Sequence, residues 1–133
     1  SETAAQKYGL KAQALISPAI MLGCDPNKFP LGPIYAIKKL LDSYQLTLQN
    51  IDAVEINEAF AVQLIACCRQ LHLPLEKMNQ LGGAIAFGHP YGASGAINLL
   101  HLLQTLKTQR AKTGIVSIGA VGGLSTAMLL QRV

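Results

Sequence analysis

The sequence predicts a layered α/β domain built around a mixed sheet, and three observations lead to this fold class. The chain has 133 residues, of which 50% are hydrophobic and 14% are charged, and this composition is typical of one globular domain with a substantial core. Strand-like and helix-like apolar segments follow one another in the order β, α, β, α, α, β, β. The last two strand segments are separated by only a few residues, which favours an antiparallel hairpin.

The N-terminal part of the chain is predicted to hold a helix end and one strand. Residues 1–8 have the pattern of a helix end, since Ser1 can cap the helix and Gly9 can stop it. Residues 11–22 are rich in apolar side chains and predict a buried strand that bends or ends at Pro18. A loop rich in proline and glycine follows this strand.

The middle of the chain is predicted to alternate helix, strand and helix. Pro33 opens the first helix at a position where a missing N–H costs nothing. The apolar side chains of this helix repeat at helical spacing; they are Ile34, Ile37, Leu40 and Leu41. Residues 53–56 predict a short strand, and residues 60–71 predict a second amphipathic helix. The side chains of that helix that we expect in the core are Val62, Leu64, Ile65, Ala66 and Leu71.

The C-terminal part begins with an unusual glycine-rich stretch over residues 78–95. Glycines at this density indicate positive φ angles or a close approach of the backbone to another group. The stretch leads into a helix predicted over residues 94–106. Residues 115–118 and 124–130 predict two further strands, which are joined by a glycine-rich corner.

The charge and cysteine patterns exclude several classes of function. The net charge is +4, but the lysines are scattered and no basic patch contains interleaved aromatic side chains, so we expect no nucleic-acid binding. The cysteines, Cys24, Cys67 and Cys68, show neither a disulfide framework nor metal-ligand spacing. Their odd number favours a reducing compartment. No apolar run reaches the roughly 18–20 residues of a membrane span. We therefore expect a cytoplasmic protein, and the cysteine spacing leads us to expect no bound metal.

Asn57 and Glu58 are the first candidate functional residues, because they follow the strand predicted over residues 53–56. Polar side chains at the C-terminal ends of strands in α/β sheets commonly face ligands. Helix capping explains the same residues, since Asn57 is a good N-cap and Glu58 suits a first-turn position. The local pattern alone slightly favours capping.

His89 is the second candidate, within the segment 82–95. It lies between a glycine and a proline on a stiff loop, where an imidazole can accept a proton near neutral pH or donate to an oxyanion. The alternative is a histidine that satisfies a backbone carbonyl, and the loop setting slightly favours function. His72 and His101 occupy helical positions and are expected to be structural.

The third candidate is the segment 117–123, where a predicted strand ends in a glycine-rich corner. Such a corner can present backbone N–H groups to an anion. A plain hairpin turn explains the pattern equally well.

The three segments together resemble the C-terminal domain of the thiolase family. The resemblance is carried by the motifs NEAF (57–60) and GGAIAFGHPYGASG (82–95), followed by a strand that ends in Ser-Ile-Gly (117–119). The opening SETAAQKYGLKAQA is similar to the join between the two halves of the family's chain. We therefore predict that residues 1–9 are the end of a linker helix from an N-terminal domain absent from this chain. Residues 10–133 are predicted to be the thiolase C-terminal domain.

The resemblance implies both a fold and a chemistry. Thiolases have two similar α/β halves, each with a five-stranded mixed sheet that is flanked by helices and whose last strand is antiparallel. They transfer acyl groups between coenzyme A and 3-ketoacyl-CoA through a cysteine in the N-terminal half, so the isolated domain is expected to be inactive. Coenzyme A enters as a substrate, and no cofactor or metal is implied. The implied partners are the N-terminal thiolase domain and further copies of the full-length chain, with neither nucleic acid nor membrane.

The resemblance also assigns roles to individual residues. His89 matches the histidine that activates the nucleophilic cysteine. Asn57 matches the residue that orients a water in one oxyanion hole, and the N–H of Gly119 matches a donor in the second. The positions that match substrate-binding residues are Phe60, Phe29 and Gly88.

Ser117 departs from the family pattern, which has a second cysteine at this position to move a proton on the α-carbon of the substrate. A thiol has a reference pKa of about 8.5, close to working pH, whereas a serine hydroxyl is a much weaker acid. Ala120 and Val121 also stand where the family has glycines. We therefore expect acyl transfer to be supported and carbon–carbon bond chemistry to be weakened.

Two hypotheses follow from this mixture of matches and departures. In the first, the chain is the C-terminal domain of a thiolase-type acyltransferase in which Ser117 has weakened proton transfer. In the second, it is a non-catalytic module derived from a thiolase that binds acyl-CoA or serves in assembly. The intact motifs NEAF (57–60) and GGAIAFGHPYGASG (82–95) favour the first hypothesis, while Ser117 and Val121 favour the second.

Overall fold

A five-stranded mixed sheet forms the centre of the computed structural model, which describes residues 1–133. The strands are β1 (Ala14–Ile16), β2 (Ile20–Gly23), β3 (Ala53–Ile56), β4 (Thr113–Ala120) and β5 (Leu124–Arg132). Strands β1 and β2 both pair with β5, which is followed across the sheet by β4 and then by β3. Only the β3–β4 pair is parallel. The predicted fold class is confirmed, including the antiparallel last strand.

Helices cover the two faces of this sheet unequally. They are α1 (Glu2–Lys7), α2 (Gly32–Ser43), α3 (Ala61–Leu71), α4 (Ala84–Phe87) and α5 (Ser94–Thr108). Helices α2 and α3 enclose the larger core with the side chains of Val54, Ile56 and Ile115, whereas α5 packs on Ala53 and Val116 from the opposite face. This separation follows from the two-residue period of a strand, which sends successive side chains to opposite faces.

Most of the predicted elements are present with small shifts in their ends. Ser1 caps α1 by accepting a hydrogen bond from the N–H of Ala4, and Gly9 follows the helix with φ +62°. The predicted strand over residues 53–56 has the same bounds as β3, while β4, β5 and α5 are each longer than predicted. No helix is both long enough and apolar enough to cross a membrane.

The single buried strand predicted over residues 11–22 is wrong in two respects. The segment forms two short strands, β1 and β2, because Pro18 has no N–H to continue the ladder with β5. Its apolar side chains are also largely exposed; Leu15, Ile16 and Met21 are 60%, 55% and 75% exposed. Leu15 and Ile16 are neighbours on β1 and point to opposite faces of the sheet, so their exposure shows that neither face of this short strand is fully covered.

The predicted core face of α3 is partly wrong. Leu64 and Leu71 are buried as expected, but Val62 is 70% and Ile65 is 50% exposed, and Ala66 is half-buried. The helix begins at Ala61, and the buried stripe passes through Gln63 and Cys67 instead. An amphipathic pattern rich in apolar residues on several sides does not by itself identify the face that packs.

Gly114 allows α5 to pack closely on the β3–β4 pair. A Cβ at this position would lie 2.5 Å from Leu102 Cδ1 and 3.1 Å from the carbonyl oxygen of Ala53. We predict that Gly114→Ala lowers the free energy of unfolding by about 1–3 kcal/mol through overpacking. Gly23→Ala is the matched strand control, since nothing lies within 4 Å of its added Cβ. Urea unfolding checks both, and equal effects of the two substitutions would contradict this packing account.

Candidate active site

Asn57 lies directly after β3 with its side chain buried, and it does not cap a helix. It is only 2% exposed, and its N–H donates to the Ser117 carbonyl on β4 at 3.0 Å. Helix α3 begins four residues later, with Phe60 at its N-cap and without any side-chain capping bond. The capping interpretation of Asn57 is therefore wrong.

His89 lies between two polar side chains rather than against a backbone carbonyl. Its Nε2 is 3.5 Å from Asn57 Nδ2, and its Nδ1 is 2.6 Å from Ser94 Oγ. Because the amide nitrogen of Asn57 is a donor, we assign Nε2 as the acceptor, and Nδ1 then carries the hydrogen that is donated to Ser94. In this tautomer Nε2 carries no hydrogen, and its lone pair can accept a proton in place of the 3.5 Å contact from Asn57.

Two glycines set the path of the backbone into His89. Gly82 and Gly88 have φ angles of +82° and +95°, a region that favours glycine. The N–H of Gly88 donates to the Ala84 carbonyl at 2.9 Å and ends the single turn of α4. After His89 the chain makes a 3₁₀ turn at Tyr91–Ala93 and enters α5 at Ser94, so the histidine and its hydroxyl partner belong to one short segment.

Asn98 is a site residue that the sequence reading missed, and the role of Ser94 was missed as well. Ser94 and Asn98 are buried and lie one turn apart on α5. In the orientation that satisfies its amide, Asn98 donates to the Ser94 carbonyl at 3.3 Å, and its oxygen lies 3.2 Å from the N–H of Asn57. The polar i, i+4 pair on an otherwise apolar helix face was the available signal.

Asn57 Oδ1 is a buried acceptor without a hydrogen-bond donor in the chain. An unpaired buried polar atom costs about 1–3 kcal/mol, and native proteins retain few of them. Its position next to His89 is typical of a site whose hydrogen bonds are completed by a ligand or a water.

Ser117 is close to Asn57 through the backbone only. Its side chain is 1% exposed, and its hydroxyl donates to the Thr126 carbonyl on β5 at 2.7 Å. The structure therefore does not direct this hydroxyl toward His89. In this arrangement the proton of Ser117 is engaged within the sheet.

Gly119, Phe29 and Phe60 form a second group beside the first. The rings of Phe29 and Phe60 meet edge to face with centroids 6.4 Å apart, and Phe60 is 53% exposed. A Cβ on Gly119 would lie 3.3 Å from Pro33 Cδ and 3.5 Å from the Phe29 carbonyl oxygen. The segment 57–60 joins this apolar group to the polar pair of Asn57 and His89.

The remaining histidines and cysteines have structural surroundings. His101 packs edge to face on Phe87 at 5.3 Å, and His72 ends α3 in a left-handed conformation. Burial, and the neighbouring Cys68, raise the pKa of the Cys67 thiol to about 12, so this thiol stays protonated at neutral pH. No group of His, Cys, Asp and Glu side chains is arranged to hold a metal ion.

Glu55 is a buried carboxyl next to the site, two residues before Asn57 on β3. It is 2% exposed. Burial, followed by the negative charge of Glu58, raises its pKa to about 8. Glu55 is therefore mostly protonated at neutral pH, and its ionisation opposes folding.

Comparison with known proteins gives a consistent result. The family described as "Thiolase, C-terminal domain" matches residues 10–132. The acetyl-CoA acetyltransferases of Syntrophomonas wolfei and Cupriavidus necator are 41% and 40% identical to the chain, and their alignments cover 98% and 99% of it. Each alignment covers 34% of the relative, so the chain spans about one third of the length of these proteins.

Solved structures show the same similarity. The acetyl-CoA acetyltransferase of Bacillus anthracis has a TM-score of 0.95 and 36% identity, covering 100% of this chain and 34% of that protein. Human mitochondrial 3-ketoacyl-CoA thiolase in complex with CoA has a TM-score of 0.95 and 39% identity, and the match covers 99% of this chain and 34% of that protein.

The raised pKa of Glu55 predicts a pH dependence of stability. Between about pH 4.5 and 8 the unfolded chain binds fewer protons at this site than the folded chain, so the free energy of unfolding falls as pH rises. We predict a loss of up to about 1 kcal/mol per pH unit from this group in that window. Glu55→Gln should remove this contribution, whereas Glu76→Gln, at an exposed glutamate, should retain it. Urea unfolding across the window checks this, and an unchanged slope in Glu55→Gln would contradict it.

Proposed function

Because the chain belongs to the thiolase family, as its C-terminal domain, we propose that it is the C-terminal part of an acyltransferase acting on coenzyme A thioesters. The enzyme transfers acyl groups between coenzyme A and 3-ketoacyl-CoA. The observation that carries this proposal is the polar chain from buried Asn57 through His89 to Ser94. It supplies an oriented base next to an unpaired acceptor.

His89 acts as the general base in the first step. Its Nε2 accepts the proton of a cysteine thiol that the N-terminal half provides, and the resulting thiolate adds to the carbonyl carbon of the thioester. The bond from that carbon to the coenzyme A sulfur then breaks, so that coenzyme A leaves as its thiolate and the acyl group stays on the cysteine. The hydrogen bond from Nδ1 to Ser94 Oγ fixes the tautomer and the ring orientation that this step requires. The protonated Nε2 then stabilises the developing oxyanion by donating to it.

Asn57 and Gly119 stabilise charge at two places. We expect Asn57 to orient a water that donates to a thioester oxygen, as the thiolase resemblance implies. Its unpaired Oδ1 is the acceptor available for that water. The N–H of Gly119 forms the second oxyanion hole together with an N–H of the N-terminal half. Phe29 and Phe60 offer an apolar surface for the acyl chain, and Gly88 leaves room for substrate, since nothing lies within 4 Å of its added Cβ.

With serine at position 117, we expect acyl transfer to be retained and carbon–carbon cleavage to be slowed. Acyl transfer between two thiols makes and breaks only carbon–sulfur bonds, so it needs no proton on carbon. Carbon–carbon cleavage requires a proton at the α-carbon of the leaving group. The Ser117 hydroxyl is a weak acid that already donates to the Thr126 carbonyl, and we expect it to supply that proton poorly.

The N-terminal half is the partner that we propose for the open part of the α5 face. Beside α5 the sheet carries an apolar cleft of about 290 Å³. It is lined by Gly95, Ala96, Leu99, Val116, Ile118, Thr126 and Met128. Small side chains on α5 permit a close approach by another helix, and burial of this surface stabilises the pair of halves.

A non-catalytic role in acyl-CoA binding or assembly is the second candidate. It is favoured by Ser117 and by Val121, which is 83% exposed where the family has a glycine. In that case the thioester site is retained while turnover is lost.

We predict the kinetics of the full-length enzyme in acetoacetyl-CoA thiolysis. His89→Ala should lower kcat/KM about 10²–10⁴-fold, because it removes the general base. Ser117→Cys should raise kcat about tenfold or more, because the pKa of a thiol is better matched to proton transfer at working pH. His72→Asn is the histidine control, since this exposed residue ends α3 in a left-handed conformation that Asn tolerates.

Two results would separate the candidates. Turnover that depends on His89 and increases with Ser117→Cys supports the acyltransferase. A silent wild type that Ser117→Cys does not restore would favour the binding role and leave the family assignment unchanged.

A further inference from the structure

Glu58 connects two segments that are distant in the sequence. Its Oε1 accepts a hydrogen bond from Asn79 Nδ2 at 2.9 Å, and its Oε2 accepts one from the N–H of Ile85 at 2.9 Å. The first-turn role in α3 that the sequence suggested for Glu58 is therefore wrong. The carboxylate faces the glycine-rich segment instead of the helix that follows it.

Asn79 is itself fixed to β3, which is an edge strand of the sheet. Its Oδ1 accepts from the N–H of Ile56 at 2.8 Å, and its Nδ2 donates to the Ile56 carbonyl at 2.9 Å. Its own N–H donates to the Val54 carbonyl at 3.0 Å. The left-handed φ of +45° at this residue is one that asparagine tolerates better than most side chains. Asn79 thus gives Glu58 a partner that is rigidly attached to the sheet.

Gly83 provides the space in which the carboxylate lies. A Cβ at this position would be 2.2 Å from Glu58 Cδ and 2.5 Å from both carboxylate oxygens. Gly83 is the N-cap of α4, and Ile85 is in the first turn of that helix. The carboxylate therefore serves as the capping acceptor for α4, which has no side-chain cap of its own.

The hydrogen bond from Ile85 to Glu58 links the two segments that carry Asn57 and His89. Glu58 follows Asn57 directly, and α4 leads through Gly88 into His89. The carboxylate accepts from an N–H donor at each of its oxygens, and only a carboxylate offers two acceptors without a donor. A glutamine at this position would place an NH₂ group against one of the two N–H donors.

We propose that Glu58 is a positioning residue, which holds the His89 segment at the end of β3 and so sets the contact of His89 with Asn57. The inference rests on the proposed function, in which these two side chains act together. Glu58 does not touch the reacting atoms. Its effect on the reaction passes through the orientation of the imidazole.

The test reads the His89 tautomer in the 133-residue chain by long-range ¹H–¹⁵N correlation spectroscopy. In the wild type we expect the Nδ1–H form, because Nε2 faces the Asn57 amide. Free histidine favours the Nε2–H form. Glu58→Gln should therefore shift the population toward Nε2–H, with the amide spectrum of the sheet unchanged.

Gly83→Ala gives a second variant, and Gly92→Ala is its matched control in the same segment. An added Cβ at Gly83 displaces the Glu58 carboxylate, whereas nothing lies within 4 Å of a Cβ at Gly92. We expect the tautomer shift in Gly83→Ala and not in Gly92→Ala. If Glu58→Gln does not fold, the comparison of Gly83→Ala with Gly92→Ala tests the proposal by the same tautomer measurement. A retained Nδ1–H form in a folded Glu58→Gln chain, or equal shifts in the two glycine variants, would overturn the proposal.

Activity separates this inference from the proposed function. In the full-length enzyme Glu58→Gln should lower kcat by about ten- to a hundredfold, as misplacement of a catalytic group does, with little change in KM. A tautomer shift in a protein without thiolase activity would support the positioning role and refute the proposed function. An unchanged tautomer in an active enzyme would refute the positioning role and support the proposed function.

Discussion

The parallel pairing of β3 with β4 is the constraint on which the site depends. It places the carboxyl ends of both strands at one edge of the sheet, and the bond from the Asn57 N–H to the Ser117 carbonyl extends the pairing by one residue beyond β3. Ligand sites of α/β sheets commonly lie at this edge. The tight packing of α5 over Gly114 supports the same pair of strands from one face. A shift of register here would separate Asn57 from both β4 and the α5 residues that it meets.

His89 reaches this edge by a different route, since its segment belongs to no strand. The segment is attached to the free edge of β3 by Asn79 and to the residue after Asn57 by Glu58. Ser94 and Asn98 hold it from the α5 side. The glycines of the segment serve separate purposes: Gly83 gives space to a carboxylate, and Gly88 supplies a positive φ. The imidazole is thus oriented from the sheet and from the helix at once.

Much of this organisation could be predicted from the sequence, and the failures have physical causes. The pattern of apolar residues identified β3, α2 and the β4–β5 hairpin, because these elements are buried and their periodicity is strong. It failed for residues 11–22 and for the core face of α3, where apolar side chains are exposed on surfaces that this chain does not cover. The motifs indicated Asn57 and His89. They did not predict the hydrogen-bonding roles of Glu58 and Asn98, because hydrogen bonds between residues far apart in sequence leave no periodic signal. The direction of the Ser117 hydroxyl also depends on the pairing with β5, which the motif does not encode.

We propose that the thioester chemistry of the site is intact while proton transfer to carbon is impaired. Two rates measured in one preparation of the full-length enzyme test it most directly. One is the exchange of acetyl groups between acetyl-CoA and isotopically labelled coenzyme A, and the other is the thiolysis of acetoacetyl-CoA. We predict that exchange exceeds thiolysis by about a hundredfold or more, the size of a lost general acid. Thiolysis as fast as exchange, or the absence of both, would contradict this account.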